Sequence, residues 1–191
     1  FPRIAGPLWG VPFEAGATTG LSDSMAPGSI SELSLSDAVA FRVLGQGGVD
    51  VTVAEVARRT RAIARGLLAL GGGAKETTVA ILADNGLAPA LCDLACLTNE
   101  IVVFQLPANA VAEQVVEMLK HSGARILLAS DDEQVAKVLP SLPALPELEQ
   151  IVVLSGPAAE RNGLLSLDQM VSQGADYDDE HYQFVGGAND E

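Results

Sequence analysis

The residues able to do chemistry in this sequence are few, and their spacing limits what they can do. Cys92 and Cys96, its two cysteines, stand four apart. Thiols on adjacent turns of one helix make poor disulfide partners, and neither a nearby His nor a second Cys pair completes a metal set. They are read as a reduced, buried helix face, which fits a cytosolic compartment. His121 falls at the end of a helical pattern, where an imidazole serves as a cation or capping donor. His181 lies in an acidic tail and is read as solvated. Asp178, Asp179 and Glu180 could hold a divalent ion loosely, but without a cage a solvated tail is the better reading. Gly16-Ala17-Thr18-Thr19-Gly20 superficially resembles a phosphate loop, yet it follows no strand, precedes no clear helix and has no Lys nearby. Gly71 to Gly73 precede a strand, the wrong order for a phosphate cradle. GxSxG, HExxH, CxxC and GxxxxGK[ST] patterns do not occur. The sequence therefore assigns no catalytic, cofactor-binding or metal-binding residue.

What positions such groups is a repeated strand–helix rhythm. Residues 78–106 read as strand, helix, strand: TVAIL, GLAPALCDLACLT, IVVFQL. Both strands are nearly continuous apolar runs, as expected where helices cover both faces of a parallel sheet. The segment between them is about the dozen residues that a parallel crossover needs. Val111, Val115, Met118 and Leu119 give a helix capped by Asn109. ARILLAS (124–130) gives a third buried strand and DDEQVAKVL (131–139) a short helix with acids in its first turn. Pro140, Pro143 and Pro146 mark a loop, QIVVLSG (150–156) a fourth strand, and SLDQMVSQG (166–174) a last helix. In such a sheet ligands gather at the carboxyl ends of the strands. Those ends carry Asp84-Asn85, Pro107-Ala108-Asn109, Ser130-Asp131-Asp132 and Ser155-Gly156. Asn85, Asn109 and Ser130 are read as helix N-caps, and Asp84, Asp131 and Asp132 as acids at the positive helix ends, which disfavours an anion there.

Upstream, AFRVL (40–44) and VDVTV (49–53), joined by Gly45-Gln46-Gly47-Gly48, form a β-hairpin at the sheet edge. A helix follows, with Thr52 and Glu55 as a capping box, apolar Val53, Val56, Ile63, Leu67 and Leu70, and a stop at Gly71. Arg58, Arg61 and Arg65 are read as its solvated face. Three segments result: an extended arm over 1–37 whose Ile4, Leu8, Trp9, Val11 and Phe13 dock in part, an α/β domain over 38–175, and an acidic tail over 176–191, read as disordered. The expected fold class is α/β: a mostly parallel sheet of four or more strands, helices on both faces, and the antiparallel hairpin.

Composition narrows the function classes. Hydrophobic residues make up 48% of the 191 and aromatics only 4%, so Val, Leu, Ile and Ala must build the core. A net charge of −14 argues against a nucleic-acid partner and against anionic lipid surfaces. No apolar run is long enough to span a membrane, and the N-terminus lacks the basic and apolar regions of a signal peptide. A chain beginning at Phe1 is expected to be a piece of a longer product or a trimmed one.

The order of parts then becomes informative. VDVTVAEVARRTRAIARGLLALG, TVAILADNGLAPALCDLACLTNEIVVFQLPANAVAEQVVEMLKHSGARILLAS and LPELEQIVVLSG together resemble the N-terminal subdomain of AMP-forming acyl-CoA synthetases, an adenylate-forming superfamily, with the long-chain fatty acid ligases as the most similar branch. The resemblance covers about residues 37 to 175. It implies a full enzyme that uses ATP and Mg²⁺ to make an acyl-adenylate and then passes the acyl group to CoA. The family's [ST]SGTTGxPKG loop and later motifs do not occur before Glu191, so none of its catalytic residues maps here. The chain is expected to be a scaffold, inactive in isolation, partnered by the remaining subdomains of the same enzyme. The alternatives are a stand-alone, catalytically inactive interaction or assembly module bound to a protein partner, and an unrelated flavodoxin-like binding domain. Three departures from the family stand out: residues 71–78 replace an acid- and Arg-bearing turn, Glu100 replaces a small residue, and Gln105 interrupts an apolar strand. A Gln buried in a strand needs a partner or an exposed end.

Overall fold

The computed structural model describes residues 37–43, 48–72, 77–156 and 164–177. The expectations for Gly16–Gly20, the docking of the arm, Asp178–Glu180 and His181 fall outside them. Chain order is β1 (Val39–Val43), β2 (Val49–Thr52), α1 (Val53–Ala69), β3 (Thr78–Ala83), α2 (Leu87–Leu97), β4 (Val102–Pro107), α3 (Ala112–Ser122), β5 (Ala124–Ala129), α4 (Asp132–Val138), a 3-10 helix (Leu139–Ala144), β6 (Gln150–Val153), β7 (Leu164–Ser166) and α5 (Leu167–Gln173).

The fold is α/β, as the strand–helix rhythm predicts. The strands β4-β3-β5-β6-β7 form one sheet, every neighbouring pair parallel. β3 explains why the apolar runs are continuous. Its Val79 and Ile81 face one core with α1, α2 and α5, while Ala80 and Leu82 face another with α3 and α4. β5 divides in the same way, Ile126 and Leu128 to the first core, Leu127 and Ala129 to the second. Strand alternation places successive side chains on opposite faces, and here both faces are covered. The chain steps from β3 out to β4, then returns past β3 to β5, changing face as it reverses. That reversal puts the switch point between β3 and β5.

Helix patterns follow from the same burial. Ile63, Ala64 and Leu67 of α1 are fully buried, as are Leu91, Cys92, Ala95 and Cys96 of α2 to within 1%. Each fully buried Leu or Ile contributes about 2 kcal/mol of hydrophobic free energy. α1 ends at Gly71, whose φ of 86° only glycine adopts without strain. α3 ends at Gly123, φ 61°.

Three expectations are corrected, and one element joins those expected. β4 has a strand neighbour on one side only, and its Val102 is 52% exposed, so the second apolar run is an edge strand of the described sheet. The hairpin forms its own two-stranded sheet, tied to α1 by Val53 N–H donating to the Ala38 carbonyl at 2.8 Å, and is not an edge of the main sheet. β7 is a fifth strand, three residues long and preceded by undescribed residues, too short to show a period. The proline segment coils into a 3-10 helix because Pro140 sits in its first turn, where no amide donor is needed.

Candidate functional site at the carboxyl ends of the strands

All four strand-end groups lie on one rim, as the parallel topology requires. Asp84-Asn85 follow β3, Ala108-Asn109 follow β4, Ser130 follows β5, and Ser155-Gly156 follow β6. The Ser130 N–H donates to the Leu82 carbonyl at 3.0 Å, and Leu154 N–H to the Ala129 carbonyl at 2.8 Å. The Ser155 hydroxyl donates to the Ser130 carbonyl at 2.7 Å, which ties the β5 and β6 exits together.

The helix starts differ from the expected ones. Asp131 caps α4, its Oδ1 accepting from the Glu133 and Gln134 amides at 2.9 and 3.0 Å while Oδ2 accepts from the Ser130 hydroxyl at 2.9 Å. Ser130 therefore buttresses the cap and is not the cap itself. α2 begins at Gly86 and α3 at Val111, neither with a side-chain cap, so Asn85 and Asn109 are displaced from the cap role. Asp84 precedes the α2 cap by two residues and lies outside its first turn. A difference of one or two residues in where a helix starts is enough to move its cap off the nearest Asn.

Between the β3 and β4 exits opens a cleft of about 670 Å³ lined by Ala83, Asp84, Gly86, Asp93, Gln105 and Pro107, among others. Gln105 is exposed on β4, the second of the two alternatives expected for it, and its Nε2 also donates to Asp93 Oδ1 at 3.1 Å. The cleft's ionisable side chains are carboxylates, and Lys137 nearby donates from its ammonium to the Ala108 carbonyl at 2.6 Å. A polyphosphate does not fit such a lining, since carboxylates repel it and desolvate poorly beside it. Among the described residues no group of three or more His, Cys, Asp or Glu could hold a metal ion. No chemical step through ATP, Mg²⁺ or CoA is therefore assigned to these residues.

Elsewhere the chemistry-bearing residues are structural. Cys92 and Cys96 are free and buried, as expected. Burial, helped by Asp93, pushes the Cys96 thiol up to about 12, and burial pushes Cys92 higher still. Such thiols are not nucleophiles at neutral pH. His121 sits in the last turn of α3 and is exposed. Of the arginines read as a solvated face, Arg65 is a clamp: its Nη2 donates to the Tyr177 carbonyl at 2.7 Å and to that of Ala175 at 3.3 Å. The start of the expected tail, through Tyr177, is therefore held against α1.

Residues 34–182 match the family profile described as AMP-binding enzyme. Residues 1–64 match a second profile, TgpA N-terminal domain. The long-chain-fatty-acid–CoA ligase FadD15 of Mycobacterium bovis is 37% identical over 132 residues, 68% of this chain and 20% of that protein. A protein-glutamine gamma-glutamyltransferase of Pseudomonas aeruginosa is 52% identical over 50 residues, 26% of this chain and 7% of its own. Among solved structures, a red-emitting luciferase of Phrixothrix hirtus aligns with a TM-score of 0.59 at 17% identity, over 71% of this chain and 32% of the luciferase. That last likeness is one of fold. The chain spans about a fifth of the ligase's length.

Proposed function

Because the chain belongs to the AMP-binding enzyme family, we propose that it supplies the N-terminal portion of an ATP-dependent, AMP-forming ligase joining a long-chain fatty acid to CoA. ATP, Mg²⁺ and CoA are engaged by parts of that enzyme outside these 191 residues, and the partner of this segment is the remainder of the same enzyme. The observation that carries the substrate class is the 37% identity to a long-chain-fatty-acid–CoA ligase over 132 residues. The role proposed is a platform: a five-stranded sheet whose carboxyl-end rim offers shape and hydrogen-bonding edges while reactive groups come from elsewhere. No described helix is long and apolar enough to cross a membrane, and the proposed place of work is the cytoplasm.

Two measurements test this. Mg-ATP should leave the melting temperature of the 191-residue chain unchanged, because a ligand raises it only by binding the folded state. A rise of several degrees overturns the platform role. The polypeptide encoded by the whole reading frame should catalyse ATP–pyrophosphate exchange with a long-chain acid and much less with acetate. The reverse preference overturns the substrate class but not the family.

A further inference from the structure

We draw no further inference here: the strongest candidate, the apolar groove between α1 and α2 with the buried, unpartnered Thr60 hydroxyl in its wall, carries nothing, because nothing in the structure shows what covers it.

Discussion

Glu55 accepts hydrogen bonds from Arg58 at 2.8 Å and from Arg59, which lowers its carboxyl from the ordinary 4.5 to about 2. The Arg58 hydrogen bonds are the largest cause, and partial burial opposes them. The same two arginines explain why the expected capping box is only half made. Thr52 accepts from the Glu55 amide at 3.2 Å, but the Glu55 carboxylate turns to the arginines and does not return to the Thr52 N–H. A group whose folded value is depressed stabilises the fold above its unfolded value and loses that contribution as pH falls through the folded one. Glu55→Gln should therefore lower stability by about 1 kcal/mol at pH 7. The deficit should shrink between pH 4.5 and 2, read by urea unfolding at each pH. Glu100 makes a second residue-scale case. Its φ of 55° lies in the left-handed region, the physical reason a small residue suits that turn. Glu100→Gly should raise stability by about 0.5–1 kcal/mol, measured by the same unfolding.

At the scale of elements, α1 and α5 approach backbone to backbone. A Cβ at Gly66 would stand 2.8 Å from the Met170 carbonyl oxygen, and one at Gly174 would stand 2.5 Å from the Arg65 carbonyl carbon. Neither obstacle is a flexible side chain, so the helices must part to admit a methyl group. Gly174→Ala should cost about 2 kcal/mol or more and lower the melting temperature by several degrees. Arg65 reinforces the same seam through the Tyr177 carbonyl. α5 starts with the complete capping box that α1 lacks: Ser166 Oγ accepts from the Gln169 amide at 3.0 Å, and Gln169 Oε1 accepts from the Ser166 N–H at 2.8 Å. Gln169 is a neutral amide with less to gain from an arginine than the Glu55 carboxylate, so its side chain stays with the cap.

For the whole molecule, the exposed edge is β4. Among the described strands nothing pairs beyond it, so it offers main-chain groups along its outer side with Val102 exposed, and it carries no Lys of the kind that commonly protects an edge. Val102→Lys should reduce concentration-dependent self-association, followed by light scattering, while changing unfolding stability by less than about 0.5 kcal/mol. The two family matches overlap over residues 34–64, the hairpin and most of α1. The expected division at residue 37 falls near the start of that overlap.

Continuous apolar runs at a spacing of about two dozen residues determined the βα repeat, the parallel sheet and the buried thiols by themselves, because each is set by local period and by the need to cover both faces. Which strand lies at the edge, which residue caps each helix, and which glycines let α1 meet α5 were decided only by the tertiary structure. Those depend on neighbours distant in sequence: β4 is an edge because no described strand pairs beyond it, and Gly66 matters because α5 and Gly174 arrive against it from the far end of the domain.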